Sequence, residues 1–480
     1  MWDYVLYAII VLIVIFLAII IIRAISFKPK NDVVINDDVI EFDGDKAVYN
    51  LQQLVKCKTI SYKDSSLEDE KEFEKLVNLL PELYPNVFKV CSLKKFDGRA
   101  LLFKWEGKKH DKPSVMMSHY DVVPVSEELW VEPPFAGVIK DGVLWGRGTL
   151  DTKVTLNGAL TAANHLIEKG FVPENDVYFA FSGSEEINGV GAKNIVDYFE
   201  QNGIAPELVV DEGGAVVSNV FPGVKSACGL IGIAEKGMVD VVYKTKSNGG
   251  HASAPKPKTP VGTLSKACVK MEKHPFKMHV TKPVQEMFDT LGRHSSFLYK
   301  LIFANMWCFS WVIDLLGKLQ GGEINALVRT TVAFTQMRGS SASNVIPPEA
   351  EMVSNIRINP HDTVDSVIDY VKKTVGDDKV EISKLMSYNP SRISQTDCKS
   401  YNKVASAVAS TYKGAIVSPY LMVQCSDSRH YGRISDKVYR FSASDFTAEE
   451  RSTIHGNNER IRLETIKSAT EFYIRLLKSC

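Results

Sequence analysis

Five places in the chain carry histidine or carboxylate side chains where a strand should end or a glycine-rich turn should form. His119 follows an apolar run at 114–117, within Ser118-His119-Tyr120-Asp121. In extended backbone, residues two apart point to the same side. Asp121 can then hold one imidazole nitrogen of His119 while the other binds a cation, as carboxylates behind metal-bound histidines commonly do. Asp151 closes Gly146-Arg147-Gly148-Thr149-Leu150-Asp151. The glycines let the backbone turn tightly, and the carboxylate has two oxygens with which to bridge two cations. Glu185 and Glu186 follow the apolar run 177–181 through Ser182-Gly183-Ser184. Adjacent carboxylates point differently, so one can bind metal while the other faces a water. Asp211 stands in Val209-Val210-Asp211-Glu212-Gly213-Gly214, and His455 in Ile454-His455-Gly456-Asn457-Asn458-Glu459. Singly, such residues usually cap turns or face solvent. Together, two histidines and three carboxylates suit two zinc ions that share one carboxylate.

These side chains need elements to position them. A helix is predicted over 71–80, with Phe73, Leu76, Val77 and Leu80 on one face and Pro81 ending it. Apolar runs at 114–117, 177–181 and 208–210 alternate with helical spacing at 156–169 and 192–202. That alternation predicts an α/β sheet, at least partly parallel. Open sheets of this kind place ligands beyond the carboxyl ends of their strands. After Gly237 the order changes to strand 239–244, helix 260–273, strands 330–336 and 351–358, helix 363–374 and strand 379–385. A βαββαβ order predicts a small ferredoxin-like domain. The chain then returns to α/β texture and ends in a helix over 461–477. It therefore reads as a catalytic domain in two parts, 46–236 and 387–480, interrupted by a lid at 237–386. Inside the lid, the apolar stretch 297–316 is expected to form a buried helical hairpin; the alternatives are an apolar wall for a long hydrocarbon substrate and, last, a second transmembrane span, which Asn305, Ser310 and Asp314 would interrupt.

Taken in order, Ser-His-Tyr-Asp-Val-Val-Pro (118–124), Gly-Arg-Gly-Thr-Leu-Asp (146–151), Ser-Glu-Glu (184–186), Asp-Glu-Gly-Gly (211–214) and Ile-His-Gly-Asn-Asn-Glu (454–459) resemble the M20 metallopeptidase family. The likeness runs from about Val48 to the C-terminus and is nearest to the carboxypeptidase S and N-acyl-amino-acid hydrolase branch. It implies that His119, Asp151 and Asp211 bind one zinc, and that Asp151, Glu186 and His455 bind the other. It makes Asp121 the residue that orients His119 and Glu185 the general base. Where the family usually has a second acidic residue after the bridging aspartate, this chain has Thr152. In the lid, His251 resembles the histidine that contacts the scissile carbonyl oxygen. Asn344 and Arg357 resemble residues that hold the substrate carboxylate, and Arg429, beside His430, resembles a second substrate-facing position.

The implied enzyme is a two-zinc metallohydrolase that cuts the amide bond before a C-terminal amino acid, in a peptide or an N-acyl amino acid. A dipeptidase or N-deacylase of the same architecture is the alternative, and a non-catalytic binding or assembly module is a further one. Water would give its proton to Glu185, which returns a proton to the leaving amine. The resemblance also allows a homodimer through the lid.

Composition adds limits. The chain has 57 basic and 57 acidic side chains, so it carries no general field for nucleic acid. Its eight scattered cysteines form no CxxC pair, leaving room for one or two long-range disulfides but no cysteine-ligated zinc. From Val5 to Ile22 every residue is apolar or Tyr, which predicts a transmembrane anchor within 1–27 rather than a cleaved signal. The polar, acidic stretch 28–45 reads as a tether. Arg23, Lys28 and Lys30 after the span favour a cytosolic body, whereas the resemblance favours the lumenal or vacuolar side, which is the expectation retained.

Overall fold

The computed structural model describes residues 2–30 and 33–480. The central strand, Lys109–His119, lies between Asn175–Ser182 and Leu208–Asp211 and runs parallel to both. Val438–Arg440 extends the sheet, parallel to Leu208–Asp211. Val115, Met116, Met117, Val177, Phe179 and Val210 are buried. Strands covered on both faces are apolar along their length, as parallel strands generally are. Because the strands are parallel, His119, Ser182 and Asp211 all emerge at one sheet edge. The sheet has ten strands and is mixed: Ser92–Phe96, Ala100–Trp105 and Cys228–Glu235 join it through antiparallel pairs.

One face is covered by the helices Lys153–Glu168 and Leu463–Lys478, which pack closely enough that a Cβ on Gly158 would lie 3.0 Å from Tyr473. The other face is covered by Gly191–Gln201, through Ile195, Val196 and Phe199. The helix at 70–83 differs from expectation: Pro81 sits inside it, and the helix runs to Leu83. Pro81 removes one i→i−4 hydrogen bond, and the helix ends two residues later.

The insertion forms a separate antiparallel sheet in the order Thr331–Arg338, Glu349–Ile358, Gly237–Lys246, Glu381–Tyr388. Pro260–Lys273 and Val364–Val375 close its core through Leu264, Met271, Val367 and Val371. The remaining helices of the insertion, at 282–328, pack against the catalytic strand Ile416–Met422 instead of the smaller sheet. Among them, the expected buried hairpin over 297–316 is not found. Phe297–Phe303 and Met306–Gln320 bend by 107°, and Trp307 and Trp311 are exposed. Only one face of the longer helix points inward, at Ile313 and Gly317.

Trp2–Ser26 is a single helix, long and apolar enough to cross a membrane and mostly exposed. From Val33 onward the segment after it is docked on the body. Asn36 N–H donates to Ser410 Oγ at 2.8 Å, Arg475 donates to the Asp38 carbonyl at 2.7 Å, and Ile40 and Phe42 pack on the core. All eight cysteines are free thiols, so neither of the long-range disulfides the sequence left room for is formed among the described residues.

Candidate metal centre

His119, fully buried, ends its strand at the sheet edge. Its Nε2 lies 3.0 Å from Asp151 Oδ1 and 3.3 Å from Glu212 Oε1. The second oxygen of Asp151, Oδ2, lies 3.0 Å from His455 Nε2, which is also 3.1 Å from Glu186 Oε2. Two half-sites therefore share one carboxylate, each oxygen serving a different histidine. Glu185 meets His119 and Glu212 in the same cluster.

Asp211 is the metal ligand expected here. Its Oδ2 accepts the Ser428 N–H at 3.0 Å, and the neighbouring Glu212 is the carboxylate within ion-pair distance of His119. Asp121 meets His119 twice: its main-chain carbonyl accepts from Nδ1 at 2.9 Å, and its carboxylate lies 3.5 Å from the same nitrogen. The carboxylate also accepts the N–H groups of Glu185 and Glu186, both at 3.1 Å, and the Ser61 hydroxyl at 2.8 Å. It thereby fixes the backbone of both glutamates.

The loop carrying Asp151 is held from beneath by a residue given no role in the sequence analysis. Buried Glu459 accepts from the N–H groups of Leu150 at 2.7 Å, Asp151 at 3.2 Å and Gly148 at 3.1 Å, and from Arg147 at 2.6 Å. Its position four residues after His455 was the available signal. Ser61 had none, since it meets Asp121 only through tertiary folding. Gly148 has φ +86°, and a Cβ there would lie 2.8 Å from Val122. Thr152 fits without a second acid: its hydroxyl bonds Thr155 at 2.7 Å, and its carbonyl accepts from Ser118 at 3.2 Å.

Burial pushes Glu185 well above the ordinary carboxylate range. Burial also raises Glu186, with Asp151 adding to it, and raises Glu212 to about 8. Burial works upward on Asp151 too, but hydrogen bonds from His119 and His455 outweigh it and hold it low. His455 is raised to about 10 by its bonds to Asp151 and Glu186. Burial opposes the charge on His119, but Glu212, Asp121 and Asp151 prevail and raise it. Four carboxylates thus crowd two histidines, and Glu186 Oε1 is buried with no partner. Such an excess of buried negative charge fits bound cations, which would neutralise it.

Above the cluster, two guanidiniums converge on one patch. Arg357 donates to Asn355 Oδ1 at 3.1 Å and to Cys425 Sγ at 3.3 Å. Arg429 donates to the Ser426 carbonyl at 2.9 Å and lies 4.9 Å from the Tyr388 ring. Neither arginine has a carboxylate within ion-pair distance among the described residues. His430 beside them is pushed down to about 4 by burial, with Arg429 and Arg433 adding to it. His251 and Asn344 are brought together on an exposed two-stranded ribbon, where His251 Nδ1 accepts the Ser253 N–H at 3.1 Å and the Asn344 carbonyl accepts from Ala252 at 2.9 Å. Their hydrogen bonds among the described residues stay within that ribbon.

Residues 115–479 match the family model described as peptidase family M20/M25/M40. The chain belongs to this family. Family M20 relatives cover most of it. It is 34% identical to the probable carboxypeptidase S-like 2 of Dictyostelium discoideum over 95% of this chain and 90% of that one. It is 33% identical to the N-fatty-acyl-amino acid synthase/hydrolase PM20D1 of Xenopus tropicalis over 92% of this chain and 87% of that one. Among solved structures it resembles the M20 family metallo-carboxypeptidase Sso-CP2 of Sulfolobus solfataricus, with a TM-score of 0.67 at 19% identity, covering 90% of this chain and 98% of that one. Human carnosine dipeptidase 1 shares the fold at a TM-score of 0.63 and 14% identity, covering 91% and 97%. The protein is thus an M20-type metallohydrolase with a mixed-sheet α/β fold.

Proposed function

We propose that this M20 hydrolase uses two zinc ions to cut the amide bond before a C-terminal amino acid, as a carboxypeptidase or an N-acyl-amino-acid hydrolase. The observation that carries the proposal is the division of Asp151, one oxygen at His119 and the other at His455. The ligand set is His119, Asp151 and Glu212 on one side, and Asp151, Glu186 and His455 on the other. Cations bound there would polarise the amide carbonyl and make water easier to deprotonate.

Glu185, with its N–H pinned by Asp121, takes the proton as water adds to the carbonyl carbon. When the C–N bond breaks, Glu185 returns that proton to the leaving amine, giving an acid and a free amino acid. Arg357 and Arg429 hold the free carboxylate, since guanidinium makes paired hydrogen bonds to it. On the exposed ribbon, His251 is assigned to the scissile carbonyl and Asn344 to the substrate carboxylate beside Arg357, and a homodimer is assigned to the inserted domain. Trp2–Ser26 is assigned as a membrane anchor with the body on the lumenal or vacuolar side.

The test is to assay metal-analysed protein on dipeptides and N-acyl amino acids, each with a free or an amidated carboxylate. Free carboxylates should be strongly preferred. Arg357→Ala should raise KM for them alone, because cutting away one side of a buried ion pair costs about 2–5 kcal/mol. Equal losses on both substrate types would make Arg357 structural.

A further inference from the structure

The helix Met306–Gln320 presents Trp307, Trp311, Leu315 and Leu319 at four-residue spacing, which is one stripe of a helix. These four are 60%, 61%, 46% and 74% exposed. Phe297 and Leu298, on the preceding helix, are exposed too. The opposite face is spent on the core, where Ile313 packs in a cluster with Phe221, Phe288 and Phe303. The helix is therefore anchored by one apolar face and turns a second one outward. A soluble surface rarely leaves such a patch in water without a partner.

What abuts the patch indicates what covers it. The N-terminal helix Trp2–Ser26 ends against the joint between the two helices. Arg23 Nε and Nη2 donate to the Ala304 carbonyl at 3.1 and 2.9 Å, and Asn305 Nδ2 donates to the Ile20 carbonyl at 3.0 Å. Trp307 meets Phe16 edge to face, with ring centres 5.9 Å apart. Phe16 precedes Arg23 by about two turns, or about 10 Å along the axis. With Arg23 at the edge of the hydrocarbon, Trp307 lies about 10 Å inside it. Interfacial helices bury their apolar faces to about 5–10 Å. Asn305, the polar residue at the joint, also gives its amide to the Leu301 carbonyl at 2.9 Å. Both donors of the Asn305 side-chain amide are therefore satisfied at the break.

We propose that the helical pair 297–320 is a second membrane element, seated in one leaflet beside the N-terminal span and holding the catalytic body against the bilayer. The proposal rests on Trp2–Ser26 being a span.

The test uses the full chain with Trp2→Phe, reconstituted in phosphatidylcholine vesicles whose acyl chains carry bromine near the headgroup. Brominated lipid quenches tryptophan emission on contact. Of the remaining tryptophans, 105, 130 and 145 belong to the catalytic body. Brominated vesicles should quench the Trp2→Phe protein, and adding Trp307→Phe and Trp311→Phe should remove most of that quenching. A Trp311→Glu/Leu315→Glu variant should also lose it while keeping its hydrolysis of a water-soluble N-acetyl amino acid, which checks folding. Absence of quenching in protein that resists a carbonate wash overturns the proposal and leaves the span intact. Absence of quenching in protein that carbonate releases overturns the span and the proposal together. Absence of quenching with Trp307 and Trp311 shielded from iodide in a detergent-solubilised dimer assigns the face to a second copy, which also overturns it.

Discussion

The two halves of the metal centre are built from different material. His119 is 2% exposed, ends a central strand and is held by a main-chain carbonyl. His455 is 53% exposed and sits in a loop at φ +58°, outside the usual range for a residue with a side chain. Glu212 and His119 are locked between parallel strands, whereas His455 reaches Asp151 from a separate part of the chain. The buried half is thus the preorganised one, and the open half is the one that meets solvent. Asp151 couples them, and Glu459 beneath it decides how rigidly.

The largest expected effect comes from a change that touches neither half's ligands. Glu185→Gln should keep both metals and lower kcat by about 10²–10⁴-fold, the usual worth of a positioned acid–base group. KM should stay close to its starting value, because the substrate is held elsewhere. Metal analysis beside steady-state kinetics checks both, and a loss of metal in this variant would make Glu185 a ligand.

The next test breaks the buried half alone. Glu212→Gln should drop the metal content by about one equivalent, since a neutral amide is a poorer zinc ligand than a carboxylate. Asp211→Asn should leave the content unchanged. Elemental analysis of the two purified variants would return Asp211 to the ligand set if the outcomes were exchanged. Glu186→Gln should weaken the open half in the same way, and with chelator the open half should empty first in the unmodified protein.

Glu459→Gln weakens the support under both halves without removing a ligand. Loss of such an outer partner typically costs about 10–100-fold in metal affinity. Competition against a zinc indicator would measure it, and an unchanged affinity would reduce Glu459 to a fold-stabilising role. The smallest effect is expected from removing residues 1–27. Neither half-site touches that helix, so hydrolysis of a soluble substrate should persist at close to the full rate. A folded, metal-loaded but inactive product would show that the helix does more than anchor.

From sequence alone, the donor types, their order and the alternating elements were readable, because apolar period and turn residues are local properties. The carboxyl-end edge that gathers His119, Ser182 and Asp211 follows from parallel pairing. The pattern of buried runs around 114–117, 177–181 and 208–210 announces that pairing. The Asp-Glu step at 211–212 was not readable in the same way. Which neighbour faces the cluster depends on a single residue of register, and in space it is Glu212 that lies 3.3 Å from His119. Asp121 turning its carboxylate to two main-chain N–H groups, and Glu459 reaching Leu150 from the far end of the chain, are likewise long-range events with no local signature. The stretch 297–316 shows the same limit in reverse. Its composition announced apolar helices, but composition has no direction. Only packing against Ile313 and Gly317 decided which face was spent inside and which was left for a partner.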